Sequence, residues 1–256
     1  MIDIEKAKNE FLKYVSTYDD NHPKIISKRE HSLRVMEISK EIATNINLTE
    51  EEINLATLIG LLHDIGRFDQ MKIYNTFIDL ISIDHGDYGV EILEKNNLIR
   101  KFIKNDEFDS IIKYSIKNHN KIKVENGLDK HTLMFCNIIR DADKIDILNE
   151  AVNVFWPSEE EVKGIENSLI TKDCYNDFMQ SVPVRKKSEE EPLDSIIVMM
   201  AFIYDMNFDY SLKYIYERDY YNKILDRFNF KNKDTIQKLE MIKNKCFSDL
   251  KEKVGK

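Results

Sequence analysis

The sequence predicts an all-α fold, and two observations support this prediction. Glycine and proline together account for only 11 of the 256 residues, whereas they make up about 12% of average proteins. Because tight turns need these two residues, a fold of many short strands is not expected. Apolar residues also recur at spacings of three and four along several segments, which is the period of an amphipathic helix. We therefore expect long helices joined by short loops.

The first two predicted helices lie in the N-terminal part of the chain. One apolar stripe spans residues 29–46 and consists of Val35, Ile38, Ile42 and Ile46. The next helix opens with Thr49 as N-cap and Glu52 at the third helical position, which is the pattern of a capping box. It is apolar on nearly all faces and ends near Gly66. We therefore expect this second helix to be the central buried one.

The later elements suggest a helical domain followed by an extension. Asp84 is expected to cap a helix from His85 to about Lys95, and further helices are expected around residues 108–119 and 130–154. Three of the four prolines lie between positions 157 and 192, where a loop-rich connector is predicted. A helix with Pro192 in its first turn is expected to end near Asp205, and a last helix capped by Asp234 follows. We expect residues 1–150 to form one helical domain and residues 151–256 to form a C-terminal helical extension packing on it.

Four of the six histidines fall on apolar faces or at the apolar end of separate predicted helices. They are His31, His63, His85 and His119. A lone histidine in such a place is most often a hydrogen-bonded core residue. Four of them, together with nearby carboxylates, favour a shared metal centre, because neutral imidazole and carboxylate are good ligands for divalent metals. His22 and His131 do not lie on such an apolar face, and we expect surface positions or local structural roles for both.

Two aspartates near the end of the predicted domain are candidate ligands. Asp141 follows Ile138 by three residues, and Asp143 follows Ile139 by four. Both helix faces are apolar, so the periodicity does not choose between the two carboxylates.

Three motifs in order resemble the HD-domain metal-dependent phosphohydrolase superfamily. They are His31, the doublet His63-Asp64 within residues 61–66, and Asp143 within residues 142–145. The resemblance covers about residues 25–150 and implies an all-helical bundle. It also implies that His31, His63, Asp64 and Asp143 bind one divalent metal, which favours Asp143 over Asp141.

Two further motifs resemble the binuclear members of this superfamily. His85 lies within residues 84–89, and His119 lies within residues 116–120. The resemblance implies that Asp64 bridges two metals and that His85 and His119 hold the second one. Some binuclear members are di-iron oxygenases. No Gly-Tyr-Pro follows His119, so the sequence departs from the branch that cleaves cyclic dinucleotides.

The resemblance implies hydrolysis of a phosphate ester of a small metabolite or nucleotide by a metal-activated water. Asp64 would orient this water. Arg67 is a candidate for gripping the phosphate, because guanidinium binds phosphate bidentately; the alternative is a charge that stabilises a helix end. Weaker candidates for this contact are Lys117, Arg140 and Lys144, and we expect surface positions for all three. The alternatives to hydrolysis are a di-iron oxygenase and a non-catalytic nucleotide-binding regulatory module.

The composition limits the cofactors and partners. A nitrogen and oxygen ligand set admits Mn, Fe, Co, Ni, Zn or Mg, as one ion or two. The net charge of −8 argues against polymeric nucleic acid or a membrane surface as partner, so a small phosphorylated substrate is expected. The three cysteines form no CxxC pair. The sequence begins without an apolar signal core, and the longest apolar run is too short for a membrane span, so we expect a cytoplasmic protein.

Overall fold

The protein is described by a computed structural model that covers residues 2–19, 21–154, 157–184 and 191–255. Within these ranges the regular secondary structure is helical and contains no β-strand. The predicted all-α fold class is therefore confirmed. None of the described helices is long and apolar enough to cross a membrane.

The described residues form two compact units, Met1–Asp146 and Ile147–Lys256. The helices that begin in the first unit are α1 (Ile4–Val15), α2 (Pro23–Asn45), α3 (Glu50–Leu62), α4 (Gly66–Tyr74), α5 (His85–Glu94), α6 (Asp109–Asn118) and α7 (Lys130–Asn153). Two short 3-10 helices, Asp79–Ile81 and Lys95–Lys101, lie between α4 and α6. That residues 151–256 pack on the preceding domain stays a prediction.

Helix α3 is buried in the first unit, as its sequence predicts. Every residue from Leu55 to Leu62 is buried, and the capping box of Thr49 and Glu52 starts the helix. Its main packing partner is α2. At their crossing, a Cβ on Gly60 would lie 2.6 Å from the Ser39 side chain and 2.8 Å from the Val35 carbonyl oxygen. The absence of a side chain at Gly60 thus allows α2 and α3 to approach closely, and this brings His31 towards His63.

The chain does not leave the helical conformation for long at Gly66. Helix α3 ends at Leu62, and α4, which was not predicted from the sequence, begins at Gly66 itself. A Cβ on Gly66 would lie 2.4 Å from the His85 carbonyl oxygen. This glycine is therefore needed where α5 crosses the start of α4, and it is not a helix stop.

The second unit begins within α7 and contains the remaining helices. They are α8 (Glu159–Asn167), α9 (Lys172–Met179), α10 (Asp194–Met200), α11 (Asp209–Arg218), α12 (Tyr220–Leu225), α13 (Lys233–Lys253) and a short 3-10 helix, Ala201–Tyr204, that follows α10. The prediction of a loop-rich connector was wrong for α8 and α9. Ser158 caps α8 in a capping box with Glu161, and the Thr171 side chain caps α9. These caps start helices between the prolines.

Two helix starts in the second unit differ from the prediction. Helix α13 is capped by Asn232, whose side chain accepts hydrogen bonds from two backbone amides of the first turn, so Asp234 is not the cap. Helix α10 starts at Asp194, two residues after Pro192. A charged run begins at Arg185, and its residues 185–190 lie outside the described part of the chain.

Candidate metal centre

One cluster of imidazole and carboxylate groups joins α2, α3 and α7. His31 lies on α2, His63 and Asp64 directly follow α3, and Asp143 lies on α7. The Nε2 atoms of His31 and His63 are 3.3 Å apart. Asp64 Oδ2 lies 3.6 Å from His31 Nε2 and 3.7 Å from His63 Nε2. Asp143 Oδ1 lies 3.1 Å from His31 Nε2 and 3.8 Å from His63 Nε2.

A second cluster uses the other oxygen of the same aspartate. His85 starts α5, and His119 follows the last residue of α6. Their Nε2 atoms are 3.0 Å apart. Asp64 Oδ1 lies 3.3 Å from His85 Nε2 and 3.6 Å from His119 Nε2. The two oxygens of Asp64 thus face two separate histidine pairs, and all four imidazoles and Asp64 are buried.

Hydrogen bonds to Nδ1 orient all four rings. Two rings donate to backbone carbonyls three residues earlier, from His63 to Gly60 at 2.8 Å and from His119 to Ile116 at 2.6 Å. Each of these histidines comes directly after a helix, where the last carbonyls have no intrahelical partner. The ring therefore closes the helix end and directs Nε2 into the cluster.

The other two rings donate to carboxylates. His31 Nδ1 donates to Asp146 Oδ2 at 2.7 Å, and His85 Nδ1 donates to Asp79 Oδ2 at 2.6 Å. Carbonyl and carboxylate oxygens only accept, so all four rings keep Nδ1 protonated and offer Nε2 as the ligand atom. A histidine ring held in this way by an outer carboxylate is the usual arrangement around a protein-bound metal.

The donor set fits one or two divalent metal ions. The two Nε2 atoms lie 3.0 Å apart in the pair His85 and His119, and 3.3 Å apart in the pair His31 and His63. Because the Nδ1 atoms already carry the ring protons, the two Nε2 atoms of a pair must share a cation, which is either a proton or a metal ion. Carboxylate oxygens on the same side supply the negative charge that such a cation needs. Imidazole nitrogen and carboxylate oxygen suit a wide range of divalent metals and do not select one.

The comparison with known protein families agrees with this geometry. The sequence model of the HD domain matches residues 29–148. This segment is an HD domain. The match contains all six candidate ligands, from His31 to Asp143, and it confirms the resemblance to the HD-domain metal-dependent phosphohydrolase superfamily. No curated protein and no solved structure matches the chain.

The electrostatics of the HD domain centre favour bound positive charge. Burial and the Lys28 charge lower the pKa of His31, but its bonds to Asp143 and Asp146 outweigh them and raise that pKa to about 9. Burial raises the pKa of Asp64, but Lys28 and the neighbouring histidines hold it well below its usual value. Burial lowers the pKa of His63 to about 3. The centre thus combines ionised carboxylates and a neutral His63 with a protonated His31, whose Nε2 proton a bound metal ion would displace.

Two arginines hold the outer carboxylates of the HD domain in place. Arg34 donates to both oxygens of the fully buried Asp146, at 2.7 and 2.9 Å. Arg67 Nη1 donates to Asp79 Oδ1 at 2.8 Å, and the buried Gln70 donates to the same oxygen at 2.8 Å. Neither aspartate was predicted as part of the site. Asp146 lies one helical turn after Asp143, which is a detectable signal, whereas Asp79 lies in a 3-10 turn without a periodic pattern.

The structure places Arg67 beside the centre, with Nη1 of its guanidinium engaged elsewhere. Its Nη1 also donates to Gln70 Oε1 at 2.8 Å and to the Phe77 carbonyl oxygen at 2.7 Å. Its buried Nε lies 3.6 Å from Asp64 Oδ1 without a hydrogen bond. That Arg67 grips phosphate stays a prediction. A second cation, Lys28, was not predicted; its Nζ donates to Asp64 Oδ2 at 2.9 Å.

The remaining candidates lie away from the two clusters or hold the backbone. Asp143 is the aspartate whose Oδ1 faces His31 Nε2; its side chain is 19% exposed, whereas Asp141 is fully buried. Arg140 is buried, contrary to the surface position expected for it, and donates to the Asn118 carbonyl oxygen at 3.1 Å. Lys117 pairs with Glu125 at 2.8 Å. The Lys144 ammonium donates to the Arg140 carbonyl oxygen at 3.4 Å.

The two histidines expected at the surface have local roles. His22 is the N-cap of α2, and its Nδ1 accepts a hydrogen bond from the Lys24 backbone amide at 3.2 Å. His131 lies exposed on the first turn of α7, and its Nε2 is 2.9 Å from Glu52 Oε1. Neither residue belongs to the metal centre.

Proposed function

We propose that this HD domain is a metal-dependent phosphohydrolase that cleaves a phosphate ester of a small metabolite or nucleotide. The observation that carries the proposal is the position of Asp64, whose two oxygens face the Nε2 atoms of two histidine pairs. His31, His63 and Asp143 would complete one metal site, and His85 and His119 the other. The proposal includes one or two divalent ions chosen from Mn, Fe, Co, Ni, Zn and Mg.

The metal would supply the reactive chemistry, and the chain supplies orientation and charge. A bound divalent ion lowers the pKa of a coordinated water and polarises a phosphoryl oxygen. Asp64 stays ionised because its pKa is held low, so its carboxylate would act as a fixed hydrogen-bond acceptor that orients the attacking water. The Nδ1 bonds of the four histidines prevent the rings from turning away.

The charge distribution supports a small anionic substrate. The net charge of −8 opposes the approach of a polyanion such as nucleic acid. Around Asp64, however, Lys28 and Arg67 bring two positive charges close to the centre. A single phosphoryl group would meet this local positive charge without contact with the acidic surface. We also propose a cytoplasmic setting, in which nucleotides and sugar phosphates are abundant.

A metal analysis and a phosphatase screen would test this proposal. Purified protein is analysed for bound metals and then incubated with nucleotides and sugar phosphates in added Mn²⁺ or Mg²⁺. Wild-type protein should release phosphate, and Asp64→Asn and His63→Ala should lose this activity while remaining folded. His131→Ala is the matched control, because it removes an exposed histidine outside the centre, and it should keep full activity.

Other outcomes would support the alternative functions. Bound iron with oxygen consumption and no phosphate release would contradict hydrolysis and favour a di-iron oxygenase. Micromolar nucleotide binding without turnover in any divalent metal would contradict catalysis and favour a regulatory binding module.

A further inference from the structure

Lys28 occupies an unusual position next to the metal centre. It lies on α2 one turn before His31, and its Nζ is 2.9 Å from Asp64 Oδ2. This is the same carboxylate oxygen that faces the Nε2 atoms of His31 and His63. The side chain is 20% exposed, so part of it contacts solvent beside the buried carboxylate. Lys28 and a metal held by His31 and His63 would therefore be neighbours on one oxygen.

Such a neighbour does not serve metal binding. An ammonium group and a divalent cation repel each other, and the low dielectric of a buried site strengthens the repulsion. The lysine stem is flexible, and its charged end can move towards water while the stem stays packed. The ring of Phe77 lies 5.7 Å from Lys28 Nζ and offers a cation–π surface at this side of the centre. Metal binding thus favours an ammonium that points away from Asp64 and needs an anionic partner.

Arg67 is less suited than Lys28 to bind such an anion. Its Nη1 already donates to Gln70, Asp79 and the Phe77 carbonyl oxygen. A phosphoryl group could recruit this nitrogen only by breaking contacts that hold the Asp79 turn. Arg67 Nε has no hydrogen bond, but it is buried and lies 3.6 Å from Asp64 Oδ1. Lys28 Nζ, in contrast, donates a hydrogen bond to Asp64 Oδ2, and a bound metal would weaken that bond.

We propose that Lys28 binds the phosphoryl group of the substrate and selects a phosphate anion beside the metal. This inference rests on the proposed phosphohydrolase function and assigns its phosphate contact to a residue outside the ligand set. It has a distinctive consequence: removal of Lys28 should weaken phosphate binding and leave metal binding equal or stronger. A residue that merely supports the centre would lower both affinities.

The test compares four variants of the full chain with wild type. Lys28→Met and Lys28→Gln remove the charge, Lys28→Arg keeps it, and Lys24→Met removes an exposed lysine one turn earlier on the same helix. Calorimetry measures Mn²⁺ binding to metal-stripped protein and then inorganic phosphate binding to the Mn²⁺-loaded protein. Steady-state kinetics with the best ester from the phosphatase screen separates KM from kcat.

The expected results separate charge from packing. Lys28→Met and Lys28→Gln should bind Mn²⁺ at least as tightly as wild type but bind phosphate about tenfold more weakly or worse, as expected for a lost charged hydrogen bond. KM should rise by a similar factor. Lys28→Arg should recover most of the phosphate affinity, and Lys24→Met should behave as wild type.

Three results would overturn the inference: unchanged phosphate affinity in both charge-removing variants, a loss of Mn²⁺ affinity in them, or no phosphate binding by Mn²⁺-loaded wild type. The proposed function can fail separately. If no ester is hydrolysed but phosphate binding depends on Lys28, the hydrolase proposal fails and the Lys28 contact stands. If esters are hydrolysed and the Lys28→Met variant keeps a normal KM and phosphate affinity, only the Lys28 inference fails.

Discussion

Replacing Asp79 by asparagine should weaken one metal site of the HD domain and leave the other unchanged. Asp79 Oδ2 accepts from His85 Nδ1 at 2.6 Å, a short charge-assisted bond within the second histidine pair. Asp146 stands in the same relation to His31 in the first pair, at 2.7 Å. Asp79→Asn and Asp146→Asn therefore form a matched pair, each acting through one histidine.

The expected loss follows from the role of these outer carboxylates. Removing such a partner lowers metal affinity by about 10–100-fold, which is about 1.4–2.7 kcal/mol. Asparagine keeps an oxygen that can accept from Nδ1, so we expect about tenfold. Asp146 is fully buried and also accepts two bonds from Arg34. Asp146→Asn should therefore also lower the free energy of unfolding, by about 1–3 kcal/mol.

Calorimetric titration of Mn²⁺ into metal-stripped protein provides the assay. Each variant should weaken one binding equivalent, and the double variant should weaken both. Asp249→Asn is the control, because this aspartate pairs with Lys245 in the second unit, at 2.9 Å, and touches no candidate ligand. If both single variants weaken the same equivalent, or if neither changes any, the assignment of Asp79 and Asp146 to separate sites is wrong.

Three further predictions concern the stability of the fold. Gly60→Ala should destabilise the protein by about 1–3 kcal/mol in urea unfolding, because its Cβ would lie within 2.9 Å of α2 atoms; an unchanged midpoint would refute the close approach. Thr49→Ala should cost about 0.5–2 kcal/mol through loss of the α3 capping box, and equal stability in the same assay would contradict this role. A chelator should lower Tm, and Mn²⁺ at about 100 times its Kd should restore about 2.7 kcal/mol; a Tm insensitive to both would argue against a metal in the native state.

The positions of the ligands were largely predictable, because helical phase places inward-facing residues. His31, His85 and His119 were found from their spacing to apolar neighbours, and the structure brings their Nε2 atoms into one centre. The helical phase did not show whether Asp141 or Asp143 is the candidate ligand. Both faces of α7 are packed there, so the choice depended on the motif resemblance.

The missed features are those that depend on tertiary contact. Asp79 reaches His85 from an irregular turn, and no periodic signal marks it. Gly66 was interpreted as a helix stop, because sequence alone does not show that the backbone of α5 passes 2.4 Å from the position of its missing Cβ. Lys28 lies one turn before His31, so its position on α2 was predictable, but its contact with Asp64 depends on how α2 packs against α3.

Anomalous diffraction from Mn²⁺-loaded crystals would test the central claim most directly. We expect two metal peaks on opposite sides of Asp64, one ligated by the Nε2 atoms of His31 and His63 and the other by those of His85 and His119. Metal bound through Nδ1 atoms, or bound away from Asp64, would contradict the account of this HD domain as a metal centre built around one bridging carboxylate.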